Sequence, residues 1–392
     1  MTGCSTDMPD PIEVGLPTPT PEAEAHSARV QAHLRALIAS TPQSNNSSQQ
    51  PSISFADFMR AALYAPGLGY YAAGATKLGA SGDFVTAPEM SSFFGAALAD
   101  VFAPMDAETV LELGAGSGKL ARDFLQNSST TKQYSILDIS ADLRERQQTV
   151  LKGHTVKWLD ALPEKIHGLV LANEVLDAVP CEIVRFFNGH YQQARICTAV
   201  GAFEWVWRPL LSGSLLDAAK QRIPPVEGYT SEINLEAEAL VATLSERLVD
   251  GAICFIDYGF PQREYYVPDR SAGTLACHYQ HRVHFDPLKL AGLQDITAHV
   301  DFTAMAVAAV DTGTRVICYA TQAHFLLQAG LLTRVENAKF ANDTDRIKTL
   351  GAIQKLLSPT EMGELFKVLI VGKGSAIDAL AQLADIDQSY RL

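Results

Sequence analysis

Two stretches of the chain bring acids together with glycines or amides as a ligand site would. The first is VLELGAGSGKL, Val110 to Leu120, where an acid, Glu112, precedes glycines at alternate positions, Gly114, Gly116 and Gly118. Strand-like residues 110–113 run into those glycines, and a helical pattern over 119–125 follows. A strand, a tight turn and a helix N-terminus make a nucleotide site, because glycine lets backbone N–H groups approach a ligand closely. The second stretch is LANEVLDAVP, Leu171 to Pro180, where Asn173, Glu174 and Asp177 follow an apolar strand. In an open parallel sheet, ligands collect outside the carboxyl ends of the strands, so these polar side chains fall where a reaction would take place.

Three kinds of nucleotide loop share the outline of the glycine turn. A Walker loop needs glycine, four residues, then Gly-Lys-Ser/Thr, but Leu113 holds the first position and Leu120 the last. A dinucleotide fingerprint needs a glycine at its sixth position, which here is Lys119. The form that remains is Glu-x-Gly-x-Gly-x-Gly, which S-adenosylmethionine (SAM) methyltransferases use. An acid at Glu112 suits a ligand with a sulfonium and an ammonium, and would repel a pyrophosphate. Such a site also needs an acid at the end of the next strand, for the ribose hydroxyls. Asp138 closes the strand-like run 134–137 and supplies it, with a helix cap for 141 onward as the competing role.

Around these stretches the pattern alternates strand and helix: 110–113, 119–125, 134–137, 141–151, 155–159 and 168–172. Strands separated by helices of this length imply right-handed crossovers and an α/β, doubly wound, mostly parallel Rossmann-like sheet. Between Cys181 and Pro209 the pattern becomes β-rich, and Asn188-Gly189 signals a hairpin, so an antiparallel insertion is expected over about 181–232. Late elements are a helix over 235–248 and strands over 252–256, 315–321 and 366–371. Upstream, Ser54 is a candidate N-cap for a helix over 55–64, and Thr86 or Pro88 opens a helix through Phe102. The expected division is a flexible segment 1–51, a helical segment 52–108 packing on the cofactor site, and a methyltransferase domain 109–392.

Composition narrows the function. The 392 residues carry a net charge of −13. That argues against a nucleic-acid substrate, which calls for a basic face, and is compatible with a cationic, arginine-bearing one. No apolar run reaches the ~18 residues of a membrane span, and the acidic N-terminus has no apolar core behind basic residues, so a cytoplasmic protein is expected. The six cysteines are scattered without a CxxC pair, as expected of reduced thiols. Cys277, His278, His281 and His284 match no standard zinc spacing, and methyl transfer from a sulfonium needs no metal, so none is expected. Asp257 and Tyr258 end another strand, where they would line the same pocket as Glu174. Asp295, His299 and Asp301 share one face of an extended segment by their period-two spacing, offering a base, a substrate clamp or a buried polar network.

Several segments together resemble the MidA family, SAM-dependent methyltransferases of bacteria and mitochondria. They are GDFVTAPEMSSFFG (82–95), LELGAGSGKLARDFL (111–125), LDISADLRERQ (137–147), LANEVLDAVP (171–180), FIDYGF (255–260) and DITAHVDF (295–302). The resemblance spans roughly residues 54–372. The loop departs by reading GAGSGK where relatives often carry proline and arginine, and Asp138 stands where glutamate is common. The mitochondrial members are arginine methyltransferases that help assemble respiratory complex I. The resemblance therefore implies an arginine-bearing protein substrate, such as a respiratory-complex subunit; the competing readings are a small-molecule acceptor on the same fold and a SAM-binding assembly factor without catalysis. It also implies that Gly82, Asp83, Phe84 and Thr86 pack over the cofactor, with Asp83 near the methionine ammonium. Transfer to a guanidinium would need a carboxylate to orient the planar fork and localise its charge. Glu174 is the first candidate and Asp177 the second, with a turn-capping role competing for Asp177. His299 is the third candidate catalytic residue.

Overall fold

The computed structural model describes residues 15–41, 50–73, 86–199 and 201–392. The described residues divide into two compact units, one within 74–178, 236–265 and 299–392, the other within 1–73, 179–235 and 266–298. The larger unit holds an eight-stranded sheet. Seven strands run in the order Arg315–Thr321, Phe366–Lys373, Leu248–Phe260, Ile166–Asn173, Thr109–Leu113, Gln133–Leu137 and Val156–Leu159. From Leu248–Phe260 to Val156–Leu159 all neighbours are parallel, and Phe366–Lys373 runs antiparallel to both of its own. The short Val300–Asp301 also pairs with Leu248–Phe260. The expected doubly wound, mostly parallel sheet is the one formed. Its middle strands carry apolar runs, Leu169–Ala172 and Ala252–Ile256, because helices cover both faces of such a sheet.

One face carries the helices Ser92–Phe102 and Lys119–Asn127. Phe94, Leu98 and Phe102 pack there with Leu120 and Phe124, in one core with Val110, Tyr134, Ile136 and Leu169 of the strands. The helix expected from Thr86 to Phe102 is broken at Ser91, whose extended backbone (φ −155°, ψ 132°) divides it into Ala87–Met90 and Ser92–Phe102. The Ser91 hydroxyl accepts the Phe93 N–H, so the residue starts a new helix instead of continuing the old one.

In the smaller unit the strands Ser52–Ser54, His190–Thr198, Glu182–Phe187 and Thr230–Ile233 pair in that order, all antiparallel, and Phe203–Pro209 pairs with His190–Thr198. Asn188 and Gly189 both take positive φ, 52° and 75°, as a two-residue hairpin turn requires. A second sheet joins Arg282–His284, Ala276–Tyr279 and Asp295–Thr297. The helix Pro21–Ser40 buries Val30, Leu34 and Ile38, so the expectation of a flexible segment over 1–51 fails there. Pro21 occupies the first helical turn, where proline is tolerated, and the Thr20 hydroxyl accepts from Ala23 N–H. The segment 52–108 is not one helical piece. Phe55–Tyr64 belongs to the smaller unit and Ser92–Phe102 to the larger.

Candidate active site

The strand Thr109–Leu113 delivers the glycine turn at its carboxyl end, and the helix Lys119–Asn127 leads away from it. Gly114, Gly116 and Gly118 take φ of 59°, 53° and 84°, a region that side chains disfavour. The turn is tied to the sheet by Gly114 N–H donating to the Leu137 carbonyl at 3.0 Å. A Cβ on Gly114 would stand 3.2 Å from Val175 Cγ2, so the turn also lies against the residues that follow Glu174.

Glu112 lies within the core. It is 2% exposed, and the Tyr134 hydroxyl donates to its Oε2 at 2.8 Å. Burial pushes its carboxyl up to about 8, against that hydrogen bond. Burial therefore favours the protonated form of this carboxyl, which stands within the core. Asp138 sits at the end of the adjacent strand, as expected. Its Oδ1 accepts from Ser140 N–H at 2.9 Å and its Oδ2 from Gln147 Nε2 at 2.7 Å. The Ser140 hydroxyl, not Asp138, accepts from Leu143 N–H at the start of the helix Ala141–Val150.

Gln147 is a site residue that spacing did not mark. It is fully buried, and its amide also donates to the Gly116 carbonyl at 3.0 Å while accepting from the Trp158 indole at 2.9 Å. One side chain thus links the glycine turn, the ribose candidate and the strand Val156–Leu159. A glutamine in a polar helix gives no sequence signal for this. Ile139, next to Asp138, is 69% exposed. An apolar side chain held in the open beside a buried acid offers a flat nonpolar contact to a ligand.

At the end of Ile166–Asn173, Glu174 is half-buried with φ 53°. A left-handed glutamate is uncommon, and such strain persists where the surroundings dictate it. They do so here: Glu174 N–H donates to the Ile256 carbonyl at 2.8 Å, and Asp257 Oδ2 accepts from Val175, Leu176 and Asp177 N–H. Asp257, expected to line a pocket, is instead the buried carboxylate that folds this turn. Burial raises its carboxyl well above the usual range, as do the charges of Asp177 and Glu174. Asn173 Nδ2 donates to Glu174 Oε1 at 3.2 Å.

Asp177 is buried and takes a hydrogen bond from the Tyr258 hydroxyl. Burial pushes it up to about 6 in spite of that donor. The half-buried His299 ring meets Tyr258 and Phe260 edge-on, with centroids 5.3 Å from each. Lys367, opposite Asp257 in the register, directs its ammonium to the Glu364 and Leu365 carbonyls.

The extended face expected for Asp295, His299 and Asp301 does not form. Asp295 lies in a strand of the smaller unit, and Asp301 caps the helix Phe302–Asp311 by accepting from Ala304 N–H at 3.1 Å. Gly82, Asp83 and Phe84 lie outside the described residues. Thr86 precedes the helix Ala87–Met90 without a side-chain cap. On that helix Glu89, another residue the spacing did not mark, binds Ser117 and Lys119 of the glycine turn. Cys277 pairs opposite His284 in the smaller unit, and among the described residues no three His, Cys, Asp or Glu gather as a metal site.

Comparison with known proteins bears on this geometry. A family model described as "Putative S-adenosyl-L-methionine-dependent methyltransferase" matches residues 94–320. The chain is similar to the protein arginine methyltransferase NDUFAF7 homolog, mitochondrial, of Drosophila melanogaster, at 30% identity over 91% of this chain and 88% of that one. It is also similar to protein arginine methyltransferase NDUFAF7, mitochondrial, of Danio rerio, at 28% identity over 81% and 83%. A crystal structure of a Burkholderia thailandensis protein bound to S-adenosyl-homocysteine superposes with a TM-score of 0.88 at 40% identity, covering 96% of this chain and all of that one. The chain belongs to the MidA family of SAM-dependent methyltransferases.

Proposed function

We propose that the protein transfers a methyl group from SAM to an arginine of a partner protein. The observation that carries the acceptor is Glu174, a carboxylate held in a strained left-handed conformation at a strand's carboxyl end, with two further acids, Asp177 and Asp257, in electrostatic reach. The Glu174 carboxylate, with the ionised form of Asp177 beside it, favours a cationic group over a neutral one. The names of the Drosophila and Danio relatives point the same way.

The residues present fit the cofactor. Three left-handed glycines let the backbone of the turn approach a ligand closely, Asp138 suits ribose hydroxyls, and Ile139 offers an apolar surface to the adenine. Asn173 Oδ1 is buried without a hydrogen-bond partner among the described residues and suits a donor on the methionine end. Bound SAM supplies a methyl group already activated on a sulfonium, so the protein's part is positioning and exclusion of water. Glu174 would hold the guanidinium fork and draw its charge away from the attacking nitrogen. Asp177, kept in place by Tyr258, would add negative potential beneath it and take up the proton released from that nitrogen.

Glu174→Gln keeps the shape and removes the charge. The expected result is near-normal SAM affinity with methyl transfer reduced on the order of 10²-fold, using about 3 kcal/mol for the lost pair and ~1.4 kcal/mol per tenfold. A lysine peptide should not restore the rate, because an ammonium lacks the planar fork. Transfer at the parent rate would make Glu174 a structural residue and remove the local support for arginine.

A further inference from the structure

Glu89 has no part in the fold's core and none in the roles assigned above, yet its side chain is only 7% exposed. It stands on the single turn Ala87–Met90, which the extended Ser91 sets apart from the helix that follows. Its two oxygens serve different partners. The Ser117 hydroxyl donates to Oε1, and the Lys119 ammonium lies 2.7 Å from Oε2. Those partners bracket Gly118, whose φ of 84° is the point where the glycine turn becomes a helix. Gln147 fixes the same turn two residues earlier, through the Gly116 carbonyl.

We propose that Glu89 is a positioning residue for the cofactor, a carboxylate clamp that holds the glycine turn in its binding conformation. It rests on the reading of that turn as the SAM site. Glycine samples both signs of φ freely, so a turn with three of them has much conformational freedom to lose when a ligand binds. A clamp on the residues either side of Gly118 removes that freedom beforehand, and affinity gained this way is preorganisation. An exposed ion pair would contribute little. This carboxylate is buried and makes a charge-assisted bond to each of two partners, which is the stronger kind. The proposal also gives Lys119 a purpose. A lysine at the start of a helix is poorly placed against the helix dipole, and Glu89 offsets that.

The test is calorimetric affinity for SAM and for S-adenosylhomocysteine. Glu89→Gln should weaken both by the same factor, on the order of tenfold, because the turn would touch the part of the molecule the two share. Lys119→Met should weaken binding less and add nothing on top of Glu89→Gln, since both act through one contact. Melting without ligand separates this from general destabilisation, which would make the two losses additive. If Glu89→Gln does not fold, Ser117→Ala and Lys119→Met each remove one arm of the clamp, and each should cost a few-fold in affinity. Parent affinity in Glu89→Gln, or in both single-arm variants, overturns the proposal. Gly114→Val serves as the control. If it abolishes binding while Glu89→Gln does not, only the clamp fails. If it binds SAM normally, the cofactor does not sit at the turn and the reading beneath the clamp falls.

Discussion

At the scale of single residues, burial decides what each acid can do. Glu112, Asp138, Glu174, Asp177 and Asp257 all stand at or near the carboxyl ends of sheet strands, so sequence spacing treats them alike. The structure separates them: Glu112 is closed into the core against Tyr134, Asp257 is consumed by backbone N–H groups, and Glu174 keeps a solvent-facing side. The Asp177 and Tyr258 pair gives a prediction with a definite sign. The tyrosine hydroxyl favours the anionic form of Asp177, whose carboxyl burial already pushes up to about 6. Tyr258→Phe removes that donor, so the carboxyl must rise further. If the ionised form is the active one, the acid limb of the rate profile moves to higher pH, while the rate well above the limb changes less. A pH–rate profile of both proteins checks this, and an acid limb that stays where it was would take Asp177 out of the reaction.

At the scale of elements, the parallel strands of the larger unit and the helices between them were legible because their apolar runs are long and their turns are marked by glycine, whereas the helices Phe302–Asp311 and Asp343–Leu357 were not marked. The strand Arg315–Thr321 falls where it was expected, as does the start of the helix at Lys119. The strands Phe203–Pro209 and Thr230–Ile233 fall inside the expected antiparallel insertion, and Asp295–Thr297 inside the expected extended segment, but none was singled out, since a few half-polar residues carry too little periodicity to show pairing with distant partners. Asp301 shows the same limit in a side chain, because a capping acid and a catalytic one look alike in sequence. Asp301→Ala should cost ~1 kcal/mol of stability through the lost cap of Phe302–Asp311. Methyl transfer per folded molecule should be unchanged. A denaturation curve and an assay check it, and a large loss of turnover with unaltered stability would restore Asp301 to the site. Gly114→Val tests the turn itself. Valine is disfavoured at φ 59° and would crowd Val175, so SAM binding should vanish while the fold survives. Calorimetry on the folded variant decides it, and unchanged affinity would move the cofactor elsewhere.

At the scale of the whole molecule, a net charge of −13 suits a basic partner, and steering by such a field would weaken as salt rises. Among the described residues no helix is long and apolar enough to cross a membrane. The family settles the class of chemistry. The acceptor rests on Glu174 and its neighbouring acids and on the relatives' names. The most direct test of that claim is to incubate the protein with labelled SAM and a lysate from cells lacking its gene, then map the labelled peptides by mass. The expected result is a discrete labelled protein carrying the methyl on an arginine, with the label lost in Glu174→Gln. Label that appears only in small molecules, or on a residue other than arginine, would contradict it.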